Sequence, residues 1–380
     1  MCTSLIRRRD GIALPLVIFV MVILSVIVAG TFYVGRLEQK TGDNTLGTSQ
    51  AFGTAEAGID SVLATWNTSV YNVMANSAEI TLTTVNLGGN NTYTPVLRRL
   101  NAMQYLLRSE GRHLDPTGRV AGRRTVAQFL RLNIPNINMN AAITIRGGIT
   151  ISGSSQVSGN DSVPAGWGGV CPPPGPMVPG VRDSSGNVNT SGACSGASCV
   201  TGNPQILTDN SVNSGTFTNF GGTSFAQLAA QANITVSGTI NGIGPVSAGS
   251  PLACSLGVGT NWGDPHNPAG PCGNYFPIVY APGNVSLTGG GGQGILLVAG
   301  DLDVSAGVEF FGPVIVLGTV RSIGTGGHFF GGLMASNANL GTTLLSGNSV
   351  VDFSSCTIAR ALRGISMAVP LTDRSWAQLY

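Results

Sequence analysis

The side chains best suited to catalysis or metal binding are few in this chain, and they are scattered. The three histidines are His113, His266 and His328, and no two of them have the spacing of a metal-binding pair. Asp264 lies two residues before His266 in a loop rich in glycine, proline and asparagine, where a turn explains the pattern better than a metal site. We therefore predict no catalytic residue, no cofactor-binding residue and no metal ligand.

Other patterns associated with bound ligands are incomplete. Asp301 and Asp303 offer carboxylates, but they lack the spacing of a calcium-binding loop. The glycine run Gly289–Gly292 lacks the lysine of a phosphate-binding loop, and no Gly-x-Ser-x-Gly elbow of a serine hydrolase occurs. The sequence therefore predicts a protein that is not an enzyme and that uses no cofactor.

The cysteines indicate the compartment. Of the 7 cysteines, Cys2 precedes a long apolar segment and the others follow it. An even number beyond that segment is typical of an oxidising compartment, where up to three disulfides would form. We prefer Cys194–Cys199 and Cys254–Cys272 as local disulfides, which leaves Cys171 and Cys356. Six cysteines allow 15 connectivities, so the sequence leaves the pairing open.

Arginine is concentrated between residues 98 and 131. Such a cluster is consistent with a strip that binds nucleic acid or another anionic polymer, and equally with the solvated outer face of a hairpin. Aromatic residues are not interleaved with the arginines and the net charge is only +2, so we expect no nucleic-acid partner. The arginines are Arg98, Arg99, Arg108, Arg112, Arg119, Arg123, Arg124 and Arg131.

The residues from Ile12 to Gly35 form the one segment long enough to cross a bilayer, and they carry no charge. A helix of that length reaches roughly 36 Å, against a hydrocarbon core of about 30 Å. Arg7, Arg8 and Arg9 precede it, so the positive-inside rule predicts a cytoplasmic N-terminus and an exported C-terminal bulk.

Several kinds of N-terminal segment share an apolar run. A cleaved secretory signal has a shorter run, and Val28-Ala29-Gly30 is a poor cleavage site. A lipoprotein signal needs a cysteine directly after the run, whereas the next cysteine is Cys171. A pilin-type leader is short and basic and ends in a glycine directly before the helix, as Arg7–Gly11 does. An uncleaved anchor gives much the same pattern.

The N-terminal region resembles the PilX N-terminal family of type IV pilus assembly proteins, a group of minor-pilin-like proteins. The resemblance covers about residues 7–66 and rests on Gly11-Ile12-Ala13-Leu14, the apolar helix, Arg36-Leu37-Glu38, and Gln50-Ala51-Phe52 leading into Ala55-Glu56-Ala57-Gly58-Ile59. It implies that prepilin peptidase removes the leader after Gly11, so that Ile12 becomes the N-terminus. It also implies association with other pilin-like subunits, the inner-membrane assembly machinery and the lipid bilayer.

One position departs from the pattern of major pilins. They carry a glutamate five residues into the mature chain, where this chain has Leu16. The departure resembles an atypical or tip-type minor subunit more than the repeating subunit. Pro15 falls in the first turn of the predicted mature helix, where the missing N–H is tolerated.

The chain beyond the apolar segment alternates β-branched runs with turn residues, which predicts short strands. The turn Asp115-Pro116-Thr117-Gly118 predicts a hairpin within a small antiparallel sheet. The candidate strands of this sheet are Ile80–Val85, Val96–Ser109 and Arg119–Leu132. A short helix is predicted at Phe225–Gln231.

An internal repeat of about 18 residues lies further along the chain, with the units Pro277–Gly294, Ile295–Gly312 and Pro313–Gly331. Such a period is typical of a β-solenoid, and a flat antiparallel sandwich is the alternative. Stacked coils would bury two ladders of side chains. One ladder is Val279, Leu297, Ile315 and Met334, and the other is Val285, Leu302, Val320 and Leu340.

The sequence therefore predicts an α+β protein with a single N-terminal pilin-like transmembrane helix, a small antiparallel sheet and a glycine-rich, β-solenoid-like C-terminal domain. We expect a single-pass protein of the bacterial inner membrane whose bulk is periplasmic or lies on the pilus or cell surface. A non-enzymatic role in pilus or pseudopilus assembly is favoured, and a tethered adhesin or scaffold module is the alternative. The predicted segments are a basic leader (1–11), a transmembrane helix (12–35), a helix extension (36–66), the sheet (78–132), a β-rich region with a Pro/Gly/Cys loop (141–276), the repeats (277–356) and a C-terminal cap or tail (357–380).

Overall fold

The computed structural model describes residues 13–323, 327–335, 343–345, 349–373 and 375–379. Over these residues the chain is an α+β protein with one long apolar helix near the N-terminus and several sheets. Its contacts divide it into two compact units. The first unit takes its described residues from Met1–Thr65, Asn76–Arg131 and Pro370–Tyr380, and the second from Trp66–Ala75 and Leu132–Val369.

The helices differ greatly in length. Among the described residues they are α1 (Ala13–Ala64), α2 (Thr68–Tyr71), α3 (Ser214–Thr218), α4 (Phe225–Ala230) and α5 (Ser355–Ile365), with a 3-10 helix at Gly192–Ala197. The helix α1 contains 52 residues and continues through Gly42, Gly47 and Gly53. The predicted short helix is present as α4, which begins with a capping box formed by Ser224 and Gln227.

An antiparallel sheet forms the β part of the first unit. The strand β3 pairs with β1, β2 and β4, and β4 pairs with β5. The predicted turn at Asp115 is present, because the Asp115 carboxylate accepts hydrogen bonds from the backbone N–H groups of Thr117 and Arg119. The strands are β1 (Glu79–Thr81), β2 (Val85–Gly88), β3 (Asn91–Arg99), β4 (Gln104–Leu114) and β5 (Val120–Asn133).

The predicted strand Val96–Ser109 is wrong, because the structure turns the chain within it. The strand β3 ends at Arg99 and β4 begins at Gln104. The Asn101 side chain accepts hydrogen bonds from the N–H groups of Met103 and Gln104, which is the local side-chain bonding that favours a turn. The single predicted strand Ile80–Val85 is likewise two strands, β1 and β2.

The second unit contains most of the remaining strands, and most of them are very short. They are β6 (Ile143–Ile145), β7 (Ile149–Ile151), β8 (Gln156–Ser158), β9 (Val181–Asp183), β10 (Val188–Thr190), β11 (Val200–Thr201), β12 (Ile206–Thr208), β13 (Ile234–Thr235), β14 (Gly238–Ile243), β15 (Ser247–Ala248), β16 (Ala253–Cys254), β17 (Ile278–Ala281), β18 (Val285–Gln293), β19 (Ile295–Val298), β20 (Leu302–Ser305), β21 (Glu309–Val316), β22 (Val320–Ile323), β23 (His328–Ala335), β24 (Thr343–Leu345) and β25 (Val350–Phe353).

Apart from the β15–β16 pair, these strands pair in parallel and stack in columns. One column runs through eight strands of the described chain in the order β13, β17, β19, β21, β23, β6, β9 and β12. At one level of this column the paired residues are Ile234, Val279, Leu296, Val314, Leu333, Ile143, Val181 and Ile206. The first seven of these side chains are buried, so the column supplies one wall of the core.

A second column contains β11, β8, β25, β23, β21 and the C-terminal end of β18. Its inward level consists of Val200, Val157, Val351, Phe329, Phe310 and Gly292. Two further parallel sets complete the arrangement, one of β14, β18, β20 and β22 and the other of β10, β7 and β24. The region 141–208, predicted to hold a long loop insertion, thus contributes strands to the same columns as the repeats.

The register corrects one predicted ladder and supports the other. Val279 pairs with Leu296, whereas Leu297 pairs with Tyr280. The predicted ladder from Val279 to Leu297 is therefore wrong by one residue at that step, although Leu297, Ile315 and Met334 are in register. Val285, Leu302 and Val320 are paired and buried as predicted. Leu340 lies outside the described residues.

A column of glycines at one corner explains the register. Gly312 has a φ of +138° and Gly331 one of +140°, values that side chains other than hydrogen rarely accept. A Cβ atom on Gly312 would lie 2.1 Å from the carbonyl oxygen of Gly294. These close approaches align Gly294, Gly312 and Gly331, so the first coil advances by one residue fewer than equal units would require.

The C-terminal segment has more structure than the sequence indicated. The helix α5 buries Ile358, Ala361 and Leu362 within the second unit. The Asn72 side chain donates hydrogen bonds to carbonyl oxygens of Arg363 and Ser366, at the end of α5. The last strands are β26 (Met367–Pro370) and β27 (Trp376–Leu379), and β27 pairs with β5 in the sheet of the first unit.

Candidate functional site

The N-terminal half of α1 is the largest apolar surface that the structure leaves uncovered. From Leu14 to Leu46 every side chain is exposed, and Gly47 is the first buried residue of the helix. The exposed part begins with the uncharged stretch ending at Gly35 and continues with charged residues from Arg36 onward. The helix is long and apolar enough to cross a membrane.

The polar side chains within this stretch are satisfied inside the helix itself. Ser25 donates a hydrogen bond to the carbonyl oxygen of Met21, and Thr31 donates one to that of Val28. Hydroxyl groups paired in this way can enter a hydrocarbon environment without leaving an unpaired donor. The composition and the local hydrogen bonding of this stretch therefore suit lipid.

The C-terminal half of α1 packs directly on the antiparallel sheet of its own unit. Ala51, Ala55 and Ile59 are buried there. A Cβ atom on Gly111 of β4 would lie 2.1 Å from the Ala51 carbonyl oxygen, and one on Gly122 of β5 would lie 2.1 Å from that of Gly47. Glycine on the sheet therefore allows backbone-to-backbone approach of helix and strands, which fixes the helix rigidly at this end.

The predicted processing residues, Gly11 and Ile12, lie outside the described residues, as does the rest of the leader. Leu16 is 60% exposed, so no described group covers the position at which major pilins have a glutamate. Pro15 lies in the first turn of the described helix.

Three disulfides occur in the second unit among the described residues. They join Cys194 to Cys199 and Cys254 to Cys272, which are the two local pairs preferred from the sequence, and Cys171 to Cys356. The third bond links α5 to a loop 185 residues earlier in the chain. On the same side, the Arg360 guanidinium lies 5.1 Å from the ring centroid of Trp167, and its burial lowers the pKa of Arg360.

The histidines that could have done chemistry are paired with carboxylates. His266 Nε2 lies 3.0 Å from Glu309, and His328 Nε2 lies 3.1 Å from Asp352. Asp264 accepts a hydrogen bond from the Asn267 backbone N–H, as a turn residue does. Within the described ranges, no group of three or more histidine, cysteine, aspartate or glutamate residues could hold a metal ion.

The arginine cluster is largely neutralised by neighbouring groups of the first unit. Arg108 pairs with Glu79, and Glu110 lies between Arg112 and Arg123. Partial burial acts to raise the pKa of Glu110, but hydrogen bonds and the charges of the two arginines outweigh it and lower the pKa. This pairing fits the solvated face of a hairpin.

Two polar clefts in the second unit were not anticipated from the sequence. One, of about 480 Å³, is lined mainly by serine and threonine near Ser155 and Asp352. The other, of about 240 Å³, is lined by asparagines from residues 136–140 and by residues 216–221. The alternation Asn-Ile-Asn-Met-Asn at 136–140 is the sequence signal that could have indicated the second cleft.

Comparisons with known proteins give little further guidance. No family model matches the chain, so the resemblance to the PilX N-terminal family is not confirmed, and no curated protein matches it either. A solved structure, the competence-associated pilin ComZ from Thermus thermophilus, aligns at 12% identity over 88% of this chain and 98% of its own, with a TM-score of 0.24. A TM-score this low carries no argument about fold or function.

Proposed function

We propose that this chain is a membrane-anchored, non-enzymatic subunit of a pilin-like assembly. The observation that carries the proposal is α1, a continuous helix whose first part is apolar and exposed and whose last part is fixed to an antiparallel sheet. A helix that only filled a core would be buried along its length. This one offers a lipid-compatible segment held at its end by a folded unit.

The proposed topology follows from charge. Arg7, Arg8 and Arg9 precede the apolar stretch, and positive residues stay on the cytoplasmic side. The remainder of the chain is then exported from the bacterial inner membrane, where cysteines can form disulfides. The bulk would be periplasmic or lie on the pilus or cell surface.

Processing and assembly are proposed by analogy with pilin-type leaders. Prepilin peptidase would cleave after Gly11, and the mature helix would pack beside those of other pilin-like subunits through the inner-membrane assembly machinery. Leu16 supports a minor rather than a repeating subunit, because the carboxylate of major pilins is missing.

We also propose that the second unit is a three-sided β-solenoid. Its parallel columns and repeat of 17 to 19 residues between paired strands support this, since Ile278 pairs with Ile295, Leu296 with Val314 and Val314 with Leu333. A flat antiparallel sandwich would not pair these strands in parallel. In this proposal the solenoid is the part displayed at the tip or surface of the assembly.

N-terminal mass spectrometry of the membrane-associated protein tests the processing step. A mature chain that starts at Ile12 is expected, and replacing Gly11 with Val should leave the leader attached. A chain that still starts at Met1 would remove the pilin route and leave a tethered adhesin or scaffold.

Deletion of the gene tests the assembly role. Fewer pili, weaker twitching or weaker secretion are expected, and a copy carrying Gly11→Val should fail to restore them. Normal piliation, twitching and secretion in the deletion strain would contradict the proposed role.

A further inference from the structure

The cleft lined by residues 136–140 and 216–221 has the composition of a site for a polar ligand. We call it the asparagine cleft and define it by Asn136, Asn138, Asn140 and Asn219, with Phe220 and Met334. Its volume is about 240 Å³. Sites for drug-sized ligands begin at roughly 300 Å³, so this cleft suits a smaller molecule, of the size of a single ring.

Three of its amides form a row. Residues 136–140 alternate exposed asparagine with buried Ile137 and Met139, which are 3% and 6% exposed. The two apolar side chains fix the segment to the core and turn the three amides to the opposite side. Amides two residues apart on an extended chain are separated by about 6.6 Å, so a small ring can contact two of them at once.

These amides are available for a ligand. None of the side chains of Asn136, Asn138, Asn140 and Asn219 makes a hydrogen bond to another side chain or backbone group within the described part of the protein. Each amide offers a carbonyl acceptor and an NH₂ donor on neighbouring atoms. Several unpartnered amides at one cleft therefore provide directed hydrogen bonding that the fold itself does not use.

The cleft carries no uncompensated charge. Arg182 lines it, but its guanidinium lies 2.7 Å from the Asp209 carboxylate. Hydrogen bonds from the Ser211 side chain and backbone, and the neighbouring Arg182, lower the pKa of Asp209 to about 2, so this pair stays ionised and internally neutral. An anionic ligand would have to displace Asp209, which makes an uncharged ligand the better match.

The cleft also has an apolar part. Phe220 is 4% exposed and Met334 is 3% exposed, and both contribute to its lining. A ligand that satisfies both the amides and this apolar part must have hydrogen-bonding groups on its edge and C–H groups on a face. Pyranose rings have this distribution, because their hydroxyl groups radiate from the ring edge.

We propose that the asparagine cleft binds one uncharged sugar ring, whose adjacent hydroxyl groups pair with the amides of Asn138 and Asn140 while a C–H face rests on Phe220 and Met334. An amide with its donor and acceptor side by side matches two neighbouring hydroxyl groups, each of which donates and accepts. The proposal goes beyond the anchoring and assembly role and does not depend on it.

The test uses the full chain in phospholipid nanodiscs, because many detergents carry a sugar headgroup. Saturation-transfer NMR is measured with the methyl glycosides of glucose, galactose, mannose, N-acetylglucosamine and rhamnose. At least one of them is expected to bind saturably in the millimolar range. The double variant Asn138→Ala/Asn140→Ala should weaken that binding by about tenfold or more, since each lost hydrogen bond accounts for roughly three- to tenfold.

The matched control is Asn189→Ala, which removes an exposed amide from β10 of the same unit and should leave binding unchanged. Thermal unfolding of all variants checks that they fold alike, which is expected because the three side chains are exposed. The proposal is overturned if none of the five glycosides binds, or if the double variant binds as tightly as the unchanged protein.

Discussion

At the scale of single residues, missing side chains decide how closely α1 lies on its sheet. Gly58 of the helix faces Ser109 and Tyr93, and a Cβ atom there would lie 2.2 Å from Ser109 Oγ and 2.9 Å from the Tyr93 ring. Ser109 is fully buried and Tyr93 is 4% exposed, so neither can move aside easily. Gly53, one and a half turns earlier, has open space around its Cα atom.

These two glycines form a matched test of the packing. Gly58→Ala should destabilise the protein by about 1–3 kcal/mol, because the added methyl group overfills a packed contact. Gly53→Ala should stabilise it by about 0.5–1 kcal/mol, because alanine is the better helix former. Chemical denaturation of the two variants measures both free energies. Equal effects of the two substitutions would contradict the described packing.

Asp209 gives a pH-dependent prediction. Hydrogen bonds to Ser211 and the ion pair with Arg182 lower its pKa in the folded protein from 3.8 to about 2. A folded-state pKa below the unfolded value means that the carboxylate stabilises the fold above pH ~4, and that this contribution is lost as the pH falls towards 2.

Asp209→Asn should therefore lower the melting temperature near neutral pH, and the difference from the unchanged protein should vanish at about pH 2. The control is Asp60→Asn at an exposed position of α1. A difference that persists unchanged in acid would show that Asp209 acts through its shape rather than its charge.

At the scale of elements, several features could be predicted because their signals are local. The apolar stretch of α1, the turn at Asp115 and the helix α4 each follow from neighbouring residues. The ladder of Val285, Leu302 and Val320 was predictable because repeated coils place equivalent residues in register. The turn at Asn101 was missed because apolar and β-branched residues continue on both sides of it.

Other elements could not be predicted because their pairing is between distant parts of the chain. The strands β6, β7, β8 and β9 contain only three residues each. The strand β6 pairs with β23, which lies 190 residues later, since Ile143 is opposite Leu333. Neither periodicity nor local turn chemistry carries that information. The asparagine cleft has the same difficulty, because residues 136–140 and 216–221 meet only in the folded unit.

The disulfides allow a test of how elements are held together. In the chain-entropy model a bond across 185 residues stabilises by ~5 kcal/mol, and one across 5 residues by ~2 kcal/mol. Replacing Cys171 and Cys356 with Ser should therefore cost more than replacing Cys194 and Cys199. Equilibrium unfolding of the two double variants measures the difference, and an equal or reversed cost would contradict a Cys171–Cys356 bond.

At the scale of the whole molecule, the account divides tasks along the chain. The first part of α1 provides a lipid-compatible segment, its last part is fixed to the sheet of the first unit, and the second unit provides stacked parallel strands and clefts. Charge sets the proposed direction of insertion, because arginines precede the apolar stretch. All proposed exported functions depend on that direction.

Lys40 makes the direction measurable, because it is the sole lysine in the sequence and lies exposed just beyond the apolar stretch. A membrane-impermeant amine reagent is applied to intact spheroplasts, and labelled peptides are identified by mass spectrometry. The account predicts a labelled Lys40 and an unlabelled N-terminal amine until the cells are lysed. Labelling of Lys40 only after lysis would mean that the chain is not exported, and would contradict the account.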